Sequence, residues 1–77
     1  MNNKRRNKLE VISTKISNIC DEINSVREEE EDYMNNIPEN LQGSDRYVQS
    51  EEICEQLDEC VEMLNEAIEI INDIVIM

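Results

Sequence analysis

Residues 36–44 read Asn-Ile-Pro-Glu-Asn-Leu-Gln-Gly-Ser, and this stretch decides how the chain folds. Pro38 disfavours helical backbone geometry at Ile37, the residue before it. A helix that approaches from the N-terminal side is therefore expected to end at about residue 35.

The rest of this stretch is suited to starting a second helix. Residues 38–41 can form a single helical turn, and Gly43 is conformationally permissive. Ser44 belongs to the residue types that cap helix N-termini best. We therefore predict a loop at about residues 36–43 and a second helix that begins at about residue 44.

Before the loop, apolar residues recur with alternating steps of three and four. This heptad pattern is typical of a helix that packs along another helix. It predicts helix 1 from about residue 4 to about residue 35, with one polar interruption. The stripe consists of Leu9, Ile12, Ile16, Ile19, Ile23, Val26, Glu30 and Tyr33.

After the loop, the same rhythm continues and predicts helix 2 over about residues 44–76. Its stripe consists of Tyr47, Ser50, Cys54, Leu57, Val61, Leu64, Ile68, Ile71 and Val75. Two such helices joined by a short loop pack against each other as antiparallel neighbours. The predicted fold is all-α: one domain of residues 1–77, a coiled-coil-like antiparallel hairpin of two helices.

The two stripes also predict a register. If facing residues have numbers that total 80, every stripe position of helix 1 meets a stripe position of helix 2, including Ile23 opposite Leu57. The one polar position of each stripe then coincides, since Glu30 meets Ser50. On the flank, the same register places Lys8 beside Asn72 and Asp73.

The register also places Lys15 beside Asn65 and brings Cys20 opposite Cys60. Two cysteines in this position can be small apolar packing residues or a regulatory disulfide, and both interpretations stay open. None of the three cysteines forms a CxxC motif, which is consistent with free thiols in a reducing compartment.

Helix 2 is apolar over more of its circumference than one partner helix can cover. Such a wide apolar face is typical of helices in a bundle. We predict that two hairpins associate as a homodimer and form a four-helix bundle. The alternative is a monomer whose flanks stay partly exposed. The predicted interface comprises Ile53, Cys60, Met63, Ala67, Ile70 and Ile74.

The charge is strongly negative and unevenly distributed. Nineteen acidic and seven basic residues give a net charge of −12, although residues 1–20 hold five of the basic residues. This charge opposes direct binding to nucleic acid or to an anionic membrane. Because no apolar run approaches the roughly 18 residues that span a membrane, we expect a cytoplasmic protein.

Acidic residues from the end of helix 1, the loop and the start of helix 2 gather at one end of the predicted hairpin. They can be a solvated surface, or they can dock a basic partner, including by mimicry of a nucleic-acid backbone. The candidate partner-binding residues of this acidic tip are Glu28, Glu29, Glu31, Asp32, Glu39, Asp45, Glu51 and Glu52.

The residue inventory gives little support for catalysis. The chain has no histidine, which rules out Ser/His/Asp and Cys/His triads and the Glu-x-x-His motif of di-iron bundles. It has no Gly-rich phosphate-binding motif. Its acidic residues do not show the loop pattern of a dedicated Ca²⁺ or Mg²⁺ site. We therefore expect a protein that is not an enzyme and that uses no cofactor or metal.

Three segments carry a resemblance: KRRNKLE at residues 4–10, EEEEDY at residues 28–33, and above all NIPENLQGSDRY at residues 36–47. The chain resembles short acidic helical-hairpin proteins of bacteriophages and integrated mobile elements. No activity is established for that group. The resemblance implies a small protein in the host cytoplasm that binds and blocks a host factor, with a bacterial defence system as one candidate.

Two functions are therefore expected from the sequence. The first is an inhibitor or adaptor that binds a host protein through the acidic tip or through the apolar flank of helix 2. The alternative is a structural coiled-coil subunit of a larger assembly. The loop can contribute to partner binding, or its apolar residues can simply close the end of the core. The candidate residues of this loop tip are Ile37, Pro38, Leu41 and Tyr47.

Overall fold

The computed structural model describes the whole chain, Met1–Met77, and contains two long helices and no strand. Helix α1 spans Asn3–Asn35, a single 3₁₀ turn spans Glu39–Leu41, and helix α2 spans Asp45–Val75. The two helices pack against each other, and the molecule measures 60 × 15 × 12 Å between Cα atoms. The predicted helical hairpin is confirmed.

Polar side chains cap the N-termini of both helices. The side chain of Asn2 accepts a hydrogen bond from the backbone N–H of Arg5, and the Ser44 hydroxyl accepts one from the backbone N–H of Tyr47. Each bond satisfies one of the backbone donors that a helix N-terminus leaves free. Gly43 does not adopt a positive φ. The loop therefore does not depend on the conformational freedom of glycine that the sequence suggested.

Helix α1 is rotated relative to the predicted stripe. Leu9, Ile16 and Ile23 are partly covered, as expected. The other half of the stripe is wrong, because its members remain 43–53% exposed: Ile12, Ile19, Val26 and Tyr33. The residues that follow them by one position are less exposed. They complete the seam, which is the row of side chains along which the two helices pack: Ser13, Cys20, Arg27 and Met34.

The contacts between the helices also correct the predicted register. Ser13 lies beside Asn72 and Cys20 beside Asn65, where the sequence placed Lys8 and Lys15. The numbers of these pairs total 85 rather than 80, a shift of about one helical turn. The prediction counted only apolar residues, whereas the observed register also pairs polar groups across the seam.

The core of the single hairpin is thin. Only Cys20, Ser50 and Cys54 are buried, and no side chain is less than 2% exposed. The remaining seam residues of both helices are half-buried, because a two-helix layer covers each side chain from one direction only. A chain of this size buries a smaller share of its surface than a larger domain does even when it is compact, so its fold is marginal without further packing.

Candidate interaction surfaces

The two exposed apolar rows lie on the same side of the hairpin. Successive residues of a helix are turned by about 100° around its axis. Viewed along α1, the seam row that contains Leu9 therefore lies between the row that contains Ser13 and the row that contains Ile12. Since Ser13 contacts Asn72, the row of Ile12 emerges on the opposite side. On α2, the row that begins at Ile53 lies nearly half a turn away from Asn72. Both rows therefore share the face that points away from the polar contacts, here called the apolar face.

The apolar face extends over most of the length of both helices. On α1, it contains Ile12, Ile19, Val26 and Tyr33. On α2, it contains Ile53, Cys60, Ala67 and Ile74, with Met63 and Ile70 along its outer edge. Met63 and Ile70 are 61% and 60% exposed, whereas Ala67 and Ile74 are half-buried. The sequence indicated the α2 part of this surface but assigned the α1 row to the interior.

The opposite side of the hairpin, here called the polar face, carries the contacts that join the helices. The Ser13 hydroxyl donates to Asn72 Oδ1 at 3.5 Å, and the Cys20 thiol donates to Asn65 Oδ1 at 4.0 Å. Arg27 Nε lies 2.6 Å from Asp58 Oδ1. These three contacts repeat every seven residues along α1, so they mark one continuous edge of the seam.

Arg27 joins the two helices through an ion-pair network. Its Nη1 also donates to Glu31 Oε2 at 2.6 Å, one turn further along α1. The hydrogen bond to Asp58 and, to a smaller extent, the one to Glu31 raise the pKa of the Arg27 guanidinium above its ordinary value. Arg27 is one of two basic residues after residue 20, and it lies where it can bridge acidic stretches of the two helices.

Cys54 lies beneath this network on the seam of α2. Burial raises the pKa of its thiol, while the positive charge of Arg27 acts in the opposite direction. A thiol with a raised pKa holds less of the reactive thiolate at neutral pH. Cys54 is therefore a packing residue.

The predicted proximity of Cys20 and Cys60 is wrong. Cys20 is buried in the seam beside Asn65, on the polar side, whereas Cys60 is exposed on the apolar face. The rotation of α1 separates them, because it moves Cys20 from the flank into the seam. Cys60 is the one exposed thiol of the chain.

The loop end combines an apolar notch with an acidic surround. The notch has a volume of about 520 Å³. It is lined by Tyr33, Asn36, Ile37, Pro38, Leu41, Ser44, Asp45 and Arg46. Of the predicted loop-tip residues, Pro38 and Leu41 are exposed, and Ile37 and Tyr47 are half-buried. The loop thus partly closes the end of the seam and also presents apolar side chains to solvent.

The predicted acidic tip is exposed except at one residue. Glu31 is half-buried and engaged with Arg27. The other members are free to interact with solvent or with a partner: Glu28, Glu29, Asp32, Glu39, Asp45, Glu51 and Glu52. Two of them, Glu39 and Asp45, lie in the first turns of the 3₁₀ segment and of α2, where a negative charge is favourable.

No group of three or more acidic or cysteine side chains is arranged so that it could hold a metal ion. Neither helix combines the length and the apolar composition that crossing a membrane requires.

Comparison with known proteins found no matching family model, no similar curated protein and no similar solved structure.

Proposed function

We propose that this protein is a protein-interaction module that works as a homodimeric four-helix bundle. The observation that carries the proposal is the apolar face, which spans both helices on one side of a hairpin that has almost no buried core. Soluble monomers rarely expose contiguous apolar patches larger than a few hundred Å². A second hairpin packed on this face would bury it.

The extent of the apolar face matches the requirement of a stable interface. Both helices run side by side for about 25 residues, which corresponds to about 40 Å, and two helices present a width of about 20 Å. Each copy would then bury about 800 Å², the usual contribution of one partner to a specific interface. At roughly 25 cal/mol per Å² of apolar area, this burial adds substantially to a marginal fold.

The loop end is the surface that we propose for a second, different protein. Its notch offers an apolar recess, and the surrounding carboxylates favour a basic partner and accelerate its association. The proposed role is that of an inhibitor or adaptor that occupies a basic surface of a host protein. This role agrees with what the resemblance to phage-encoded hairpin proteins implies.

An affinity-capture experiment tests both parts of the proposal. A tagged copy is co-expressed with an untagged copy in a bacterial host, and both the untagged copy and host proteins are identified after capture. We expect the tagged chain to retain the untagged copy together with a defined host protein. Neutralising the loop end with Glu28→Gln, Glu29→Gln and Asp32→Asn should release the host protein, whereas the intact apolar face should still retain most of the untagged copy.

A matched control separates the position of the charges from their number. Glu62→Gln, Glu66→Gln and Glu69→Gln remove the same three charges from the outer surface of α2, far from the loop. This control should retain both bound proteins. If both triple variants released the host protein equally, net charge would explain its binding and the loop end would be excluded. If the untagged copy were never retained, the homodimer would be excluded.

A further inference from the structure

We infer that the two copies of the proposed homodimer pack head to tail. The loop end of each hairpin then lies against the opposite end of the other hairpin, which carries both chain termini and is here called the open end. This inference rests on the proposed function. It adds the orientation of the two copies. In this arrangement α1 packs along the partner's α1, and α2 along the partner's α2.

The surface area of the single chain favours a second copy as the occupant of the apolar face. A compact monomer of 9.1 kDa exposes about 4,900 Å² by the usual scaling of surface with mass. This chain exposes 5937 Å². The excess of about 1,000 Å² is comparable to the area that each copy would bury in a two-hairpin bundle, so a second copy would restore ordinary compactness.

The composition of the apolar face also suits a symmetric contact. The α1 row is a repeat of β-branched residues and one tyrosine at intervals of seven, and the α2 row repeats at the same interval. A repeat of this kind can pack on its own copy in an isologous interface, in which the same patch serves both partners. No charged residue interrupts either row.

Charge decides between the two symmetric orientations of such a dimer. Residues 28–52, which form the loop end, hold nine carboxylates and the single guanidinium of Arg46. In a parallel dimer, two such ends would lie side by side. Like charges that are brought together at an interface oppose its formation, so this orientation is disfavoured.

The open end of the hairpin has the opposite character. It contains the basic start of α1, with Lys4, Arg5, Arg6 and Lys8, and the end of α2, where Glu69 and Asp73 are the acidic residues. Head-to-tail packing places this basic start beside the acidic loop end of the partner at both ends of the dimer. Both orientations bury the same apolar face, and only the head-to-tail one keeps the two acidic loop ends apart.

A distance between the two loops tests this orientation. A spin label is attached at Gly43→Cys, where a Cβ atom has open space and φ is not positive, in a chain that also carries Cys60→Ala. The remaining cysteines are buried in the seam. Because the hairpin is 60 Å long, head-to-tail packing should give a separation of about 50–60 Å between labels. Parallel packing should give less than about 25 Å.

Two outcomes would overturn the inference and can be told apart. A dimeric mass with a short distance would show a parallel dimer, which excludes the orientation and leaves the proposed homodimer intact. A mass of 9.1 kDa for the unmodified chain, measured alongside the labelled one, would exclude the homodimer itself.

A second variant tests the electrostatic argument without a label. Lys4→Gln, Arg5→Gln and Lys8→Gln should weaken a head-to-tail dimer several-fold at low salt, and added salt should remove the difference. In a head-to-tail dimer these cations lie beside the partner's acidic loop end, so their removal should have little effect in a chain that also carries Glu28→Gln, Glu29→Gln and Asp32→Asn. In a parallel dimer the two charged groups lie at opposite ends, so the effect would be the same with and without the loop-end substitutions. This result would contradict the inference.

Discussion

The two faces of this hairpin differ in what their side chains contact. On the polar face, Ser13, Cys20 and Arg27 each contact a polar group of α2 in the same chain. On the apolar face, the neighbouring row, which includes Ile19 and Val26, contacts solvent instead. The difference indicates that polar pairs fix the alignment of the two helices within a chain. The apolar face is left available for contacts between chains.

The largest expected effect comes from a charge placed on the apolar face. Ile19→Asp should weaken the homodimer at least about 100-fold, because both copies would bury a carboxylate without a partner. Ser17→Asp introduces the same group on the opposite side of α1 and should change the dimer dissociation constant less than about threefold. Sedimentation equilibrium of the two variants measures the difference. Equal effects would contradict the assignment of the faces.

The exposed thiol of the apolar face and the buried thiol of the seam should also differ in reactivity. At low protein concentration, Cys60 should react with a maleimide or disulfide reagent at least about tenfold faster than Cys54, which is buried and whose thiol has a raised pKa. Because its pKa is raised, Cys54 should gain reactivity at a higher pH than a free cysteine does. Mass spectrometry of the labelled chain identifies each site.

Protection of Cys60 at high protein concentration would follow from dimer formation. Its labelling rate should fall as the concentration rises through the dimer dissociation constant, because the second copy covers it. A rate for Cys60 that is independent of concentration in a dimeric sample would show that the interface lies elsewhere on the surface.

The smallest expected effect concerns the polar face. Arg27→Gln removes both ion pairs to Asp58 and Glu31 and should lower the Tm by a few degrees, since partly exposed ion pairs contribute modestly to stability. The dimer dissociation constant should remain nearly unchanged once folding is complete. Arg46→Gln, which removes a cation outside this network, serves as the control for Tm. A loss of dimer from Arg27→Gln that equals the loss from Ile19→Asp would contradict the division between the faces.

The hairpin could be predicted from the sequence because its signals are local. Pro38 and Ser44 mark the end of one helix and the start of the next, and the heptad rhythm extends through both. The helices begin and end within one or two residues of the predicted bounds. The 3₁₀ turn at Glu39–Leu41 was predicted as well.

The rotation of α1 could not be predicted from apolar periodicity. Two neighbouring rows of α1, those of Ile12 and Ser13, are both spaced at seven residues, and only one of them can complete the seam beside Leu9. Periodicity favours the more apolar row. The contacts of Arg27 with Asp58 and of Cys20 with Asn65 favour the other row, and they depend on a register that the apolar pattern does not specify.

Sedimentation equilibrium of the unmodified chain over a range of protein concentrations shows whether a second copy covers the apolar face. If the apolar face is covered by a second copy, the mass should approach twice 9.1 kDa and the sample should be fully helical. A mass of 9.1 kDa that persists to about millimolar concentration, with both helices intact, would contradict the account.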